Sequence, residues 1–161
     1  MPVFRFRLQP LLDRTIKEKE AAEEDLAERQ KELQREQAAL KHLYDEVRHI
    51  GNKIQAARRA LLGSMNEGGD LLLKSQRVGA LTEDLARAHE AAFYQKLVLE
   101  ECEERTKQSR QILTECSQKV EALNKYRNKL ERHFLDEVAQ KEELEQDEIG
   151  NVLYLTRGRR L

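Results

Sequence analysis

The residues with most capacity for chemistry lie in "HLYDEVRH", positions 42–49. His42, Asp45 and His49 fall at i, i+3 and i+7, on one face of a helix. Two imidazoles and a carboxylate are donors that zinc accepts, but the H-E-x-x-H spacing of a zinc helix is absent and no fourth ligand is in view. Solvated histidines, and no metal site, are the expectation. His89 and His133 stand alone. Cys102 and Cys116 lie fourteen residues apart in one apparent helix, about 21 Å at 1.5 Å per residue, too far to bridge. Both fall on an apolar stripe, where a free thiol packs as a small apolar side chain. The run "DEVAQKEELEQDE", 136–148, holds seven acids and one lysine. It could hold cations or a basic partner; a solvated helix face with local Glu–Lys pairs is the simpler reading. No Gly-rich loop leads into Lys-Ser/Thr and no G-x-S-x-G elbow occurs. No catalytic residue, cofactor or enzyme activity is expected.

The elements that carry these residues follow from composition. Of 161 residues, 37% are charged and 39% hydrophobic, with only 5% aromatic and two prolines. Ala, Leu, Glu, Lys, Gln and Arg dominate, all good helix formers, and the apolar residues are regularly spaced, unlike those of a disordered chain. Twenty-nine basic residues nearly balance 30 acidic ones, which argues against nucleic acid as the main partner. No run approaches the roughly 18 apolar residues of a membrane span, so no direct membrane insertion is expected. The arginines in the opening "MPVFRFRLQPLLD" break any signal-peptide core. With no disulfide framework either, a reducing cytoplasm is the expected location.

The spacing is that of a coiled coil. Leu26, Leu33, Leu40, Val47, Ile54 and Leu61 recur every seven residues; Ala22, Arg29, Glu36, Leu43, Ile50 and Ala57 fill the other seam position. Arg29 and Glu36 make the stretch between Leu26 and Leu40 looser. In the second half Val78, Leu85, Ala92, Leu99, Thr106, Leu113, Val120 and Phe134 share one register, with Arg127 the exception. Leu81, Ala88, Gln95, Cys102, Ser109, Cys116, Leu123, Leu130 and Leu144 form the other. The expectation is all-α: a long antiparallel two-helix coiled-coil hairpin over residues 1–148. Helix one covers about 9–62, a tip about 63–70 and helix two about 71–148, with residues 149–161 a flexible tail because Gly150 ends the pattern. Asp70 is the expected N-cap, Gly79 a bend or break, and Thr82 a second cap. A parallel dimer of one extended helix is the rival, disfavoured by three glycines in "GSMNEGGD", each costing about 0.8–1.0 kcal/mol inside a helix. Helix two is the longer, so residues near 126–148 should overhang or meet a partner.

The ends carry a resemblance. "FRFRLQPLLDRTIKEKEAAEEDLAE", with the later "LNKYRNKLERHFLDEVAQKEELEQDEI", resembles the FliJ family of flagellar export stalk proteins. The resemblance implies a cytoplasmic coiled coil, peripherally associated with the inner-membrane export apparatus. Its partners would be the hexameric flagellar export ATPase, entered by the end carrying both termini, and the cytoplasmic domain of the export gate. Export chaperones are a further implied partner. The stretch 40–50, with Leu43 and Ile50, resembles the gate-contacting part of helix one, although Glu46 stands where family members carry an aromatic. Phe4, Arg5, Phe6, Arg7 and Leu8 are the residues expected to meet the ATPase. Alternation places Phe4, Phe6 and Leu8 on one side of an extended segment and the arginines on the other; Pro10 suits a first helical turn. A purely structural reading has Phe4 and Phe6 covering helix two near Phe134. Two alternatives stand beside the flagellar stalk. One is the stalk of a virulence-type secretion system, which usually lacks the Phe-Arg-Phe-Arg-Leu opening. The other is an escort chaperone using Met65, Leu71, Leu72, Val152 and Leu155.

Overall fold

A computed structural model describes residues 3–64 and 70–158, with side chains as far as 155. The fold is all-α: two long helices packed against each other as a hairpin. Helix α1 is Gln9–Gly63 and α2 is Leu71–Gly158. The chain divides into two compact units, one made of Met1–Ala22 with Ile112–Leu161 and the other of Glu23–Gln111. They are called here the terminal unit and the tip unit.

Local chemistry sets the helix ends. The Leu12 N–H donates to Leu8 O at 2.9 Å and the Gln9 N–H to Phe6 O at 3.1 Å, so α1 starts just before Pro10. The missing N–H of Pro10 costs nothing in that first turn. At the other end, the Ser64 N–H donates to Leu61 O at 3.2 Å and the Ser64 hydroxyl to Ala60 O at 2.9 Å, satisfying two terminal carbonyls. Asp70 occupies the N-cap position of α2: its carbonyl accepts the Lys74 N–H at 3.1 Å. Its carboxylate lies 3.4 Å from Lys74 Nζ, and the same ammonium donates to Ser64 Oγ. Residues 65–69 of the expected tip, Met65 among them, lie outside the described residues.

In the tip unit the heptads become a seam. Ile54, Ala88, Ala92, Cys102, Thr106 and Ser109 are buried, while Leu26, Leu33, Leu40, Val47, Leu61, Leu85 and Leu99 are half-buried. Gln95 Nε2 donates to Glu36 O at 3.3 Å and to the Glu36 carboxylate; Ser109 Oγ donates to Asp25 Oδ2 at 2.6 Å. Moving back along α1 from Glu36 to Asp25 therefore means moving forward along α2, which is antiparallel packing. The charged seam positions are met rather than stranded. Arg29 lies 3.2 Å from Glu32 and 3.7 Å from Asp25, and among the described residues no buried side-chain N or O lacks a hydrogen-bond partner.

In the terminal unit Leu12, 1% exposed, is the most buried side chain. Thr15, Ala22 and Cys116 are also buried, and Leu113, Val120, Leu123 and Phe134 are half-buried. From residue 139 to Leu155 every side chain of α2 is exposed.

Several expectations are corrected. The helix does not stop at Gly150 but runs to Gly158. One glycine costs about 1 kcal/mol yet keeps its N–H and its place in the ladder, and no proline follows. Likewise α2 passes through Gly79 unbroken, and Thr82 donates to Val78 O at 2.8 Å instead of capping. Leu144 keeps the heptad spacing but is 65% exposed, and Leu130 is at the edge of exposure with 36%.

Candidate partner-binding surfaces

The opening segment packs on α2 within the terminal unit. Phe6 is 9% exposed and its ring meets Tyr126 edge-on, centroids 6.2 Å apart. Phe4 tilts against Phe134 at 5.7 Å. Both spacings suit attractive aromatic contact. The alternation thus holds where it matters: Phe4 and Phe6 turn toward α2, while Arg5 and Arg7 are exposed. Leu8 departs from the pattern and is 39% exposed, because the chain is already turning into α1. Leu130, His133 and Glu137 complete the walls of an open cleft of about 460 Å³. His133 Nδ1 stands 3.2 Å from Glu137 Oε1. Beyond the cleft, Asp136 and the following acids form an exposed carboxylate face. It is followed by about two turns of helix in which Ile149, Val152, Leu153, Tyr154 and Leu155 are 59–81% exposed and Asn151 is the one polar side chain.

The residues 40–50 lie in the tip unit. Leu43 and Ile50 are half-buried seam residues, so the outward chemistry of this stretch belongs to neighbours such as Tyr44, 48% exposed, and Glu46. His42 and His49 are exposed, and Asp45 lies 3.8 Å from Arg48 Nη1. Among the described residues no three His, Cys, Asp or Glu gather as a metal site. The Cys102 thiol is buried, and its pKa is raised, first by desolvation and then by the carboxylates of Glu32 and Glu36. A thiol held protonated is a poor nucleophile and ligand. Leu71 and Leu72 are 39% and 70% exposed.

The heptad reading passed over one surface. Phe93, Tyr94, Leu97 and Val98 are 60%, 58%, 46% and 42% exposed, and the Phe93 and Tyr94 rings meet edge-on at 6.0 Å. They occupy the outward positions between Ala92 and Leu99, where a two-helix coil normally carries polar residues. That contrast is present in the sequence.

The family follows from comparison. A model of the YscO-like proteins matches residues 3–160. The chain belongs to the YscO-like family. The FliJ resemblance therefore holds at the level of a related stalk-like family, YscO-like. No curated protein matches this YscO-like sequence. Among solved structures it is similar to a YscO homolog, CT670 from Chlamydia trachomatis. The TM-score is 0.80 at 22% identity, over 99% of this chain and 100% of that one, a likeness of fold. No described helix of the YscO-like chain is long and apolar enough to cross a membrane.

Proposed function

We propose that the chain is a non-enzymatic, stalk-like component of a type III secretion system of the virulence kind. In this reading it engages the hexameric export ATPase through its terminal unit and links that ATPase to the cytoplasmic side of the export gate, with export chaperones as further clients. Family membership over residues 3–160 supports the secretion role and favours the virulence branch over the flagellar one.

One observation carries the partner reading: α2 continues, fully exposed, from residue 139 to Leu155 and there presents Ile149, Val152, Leu153, Tyr154 and Leu155. Exposed apolar surface of this kind marks an interaction site. Arg5 and Arg7, fixed beside the aromatic cleft and turned outward, would meet acidic groups at the rim of that partner. Tyr44 and its neighbours are the outward groups available to the gate.

The test is a titration of purified export ATPase with the full chain. Stimulation is expected to saturate at a fixed ratio. It should weaken at least several-fold with Arg5→Glu/Arg7→Glu and be lost when residues 149–161 are removed, the melting curve of the hairpin staying unchanged. Full stimulation by the shortened chain would refute the reading. A strain lacking the chain should lose effector secretion and keep flagellin export; the reverse would restore the flagellar assignment.

A further inference from the structure

The outward face of α2 in the tip unit is self-complementary, and we propose that it joins two copies of this chain in a reversible antiparallel dimer. At 100° per residue, Phe93, Tyr94, Leu97 and Val98 span an arc of about 140°, on the far side of α2 from its seam residues Ala92 and Leu99. Apolar side chains at these positions face away from the seam and keep 42–60% of their surface exposed. They call for a second surface.

Charge order says which surface. N-terminal to the apolar stripe, Asp84 and Arg87 lie 2.5 Å apart, 48% and 70% exposed. C-terminal to it, Glu101 and Arg105 form the matching pair, 63% and 47% exposed. All four stand on the Tyr94–Val98 side of the stripe. In an antiparallel two-fold pairing, residues on the same side of each stripe face one another. With Tyr94 set against Tyr94 of the second copy, Arg87 faces Glu101 and Asp84 faces Arg105, each within about one residue, or 1.5 Å of rise. Ala91 then meets Val98, and on the opposite side Phe93 lies beside Leu97 while His89 faces Glu100. Each charge already paired along its own helix gains an opposite charge across the interface. Like charges also approach, Glu83 toward Glu104 and Glu90 toward Glu100 and Glu101, and Arg87 and Arg105 offset them.

The size of the stripe sets the strength. Four large side chains of about 150–250 Å² each, roughly half exposed, offer about 400 Å² per copy. About 800 Å² in total falls below the 1,200–2,000 Å² of a stable complex, so monomer and dimer exchange.

The experiment is sedimentation velocity of the full chain from about 5 to 500 µM. A monomer–dimer shift is expected, abolished by Phe93→Ser/Leu97→Ser with helical content and melting unchanged. Arg87→Glu and Glu101→Arg should each weaken the dimer about tenfold, and the double variant should restore it. These positions are fourteen residues apart on one helix, too far to pair within one copy, so restoration reports contact between copies. Tyr94→Cys should form a disulfide dimer under mild oxidation, and a cysteine at Arg58 should not. A chain monomeric at every concentration overturns the proposal and leaves the face to a different protein. A double variant no tighter than either single one overturns the antiparallel pairing and the proposal with it.

Discussion

Phe6→Ala tests whether the opening segment is a latch held by its aromatic rings. Phe6 is 9% exposed and rests against Tyr126. Full burial of such a side chain contributes about 1.5–3 kcal/mol, with roughly 0.5–1.5 kcal/mol more from the aromatic pair. Alanine keeps part of the former, so the loss should be about 2–3 kcal/mol, or roughly 30- to 150-fold in the population of the undocked segment. Trypsin reads that population directly. Arg5 and Arg7 flank Phe6 and are exposed, yet a protease needs several residues of extended chain, which the docked segment does not release. Where opening is fast relative to cleavage, the rate follows the open fraction. Cleavage after Arg5 and Arg7, followed by mass spectrometry, should therefore accelerate by that factor in Phe6→Ala. Val3→Ala, at a side chain 78% exposed, should change little. Acceleration under about threefold, or equal acceleration at sites throughout the tip unit, would refute a local latch.

The seam pair Glu36–Gln95 should behave as a matched set. Glu36→Leu or Gln95→Leu alone leaves a polar group facing an apolar one and should cost about 1–3 kcal/mol by denaturant melting, whereas the double leucine variant should equal or exceed the native stability. For Cys102, burial and the carboxylates of Glu32 and Glu36 raise the thiol pKa from its ordinary 9.0. The folded chain holds that proton more tightly than the unfolded one, so this contribution to stability is intact below pH 9.0 and is lost as pH rises above it. The melting temperature of the native chain should consequently fall more steeply above pH 9 than that of Cys102→Ala; parallel curves would contradict it. Gly150→Ala should slow hydrogen exchange of the last turns of α2 by about three- to fivefold. Alanine gains up to roughly 1 kcal/mol in a helix, and an added Cβ there meets nothing within 4 Å. No change would mean that this stretch is not helical in solution.

The seam was legible because it needs only one-dimensional information. Spacing by seven picks out Leu26 to Leu61, and every one of those side chains is half-buried or buried. The placement of Pro10 followed from its missing N–H, and the packing of Phe4 and Phe6 from alternation. What escaped depends on where a partner helix ends. Leu144 keeps the heptad rhythm of Leu123 and Leu130, but α2 has 88 residues against the 55 of α1, so rhythm persists where nothing remains to pack against. Gly150 reads as a stop because glycine is the weakest helix former after proline. A penalty of about 1 kcal/mol is nonetheless spread over a long cooperative helix. The outward Phe93 and Leu97 escaped because a search for seam positions discards the outer ones, which is where a second surface would be written.

The seam of α2 is poorer in large apolar residues than its spacing needs. Ala88, Ala92, Cys102, Thr106 and Ser109 are its buried members in the tip unit, and Thr106 spends its hydroxyl on Cys102 O at 2.8 Å. A leucine at each of these positions would bury more apolar area and gain stability. It would also tolerate slipping by a heptad, since one leucine layer resembles the next. The polar links Glu36–Gln95 and Asp25–Ser109 occur at two levels of the tip unit and agree on one alignment to within about half a heptad. A slip of seven residues would strand both of them, which is how a buried polar group fixes register at a cost in stability. The proposed role, in which an exposed length of α2 is presented to a partner, needs that length defined, and register defines it. Replacing Gln95, Thr106 and Ser109 together by leucine, with Glu36→Leu and Asp25→Ala, should therefore raise the melting temperature while broadening the distances that spin labels report between α1 and α2 of the tip unit. A variant that melts higher and keeps one sharp distance would show that leucine layers alone hold the alignment.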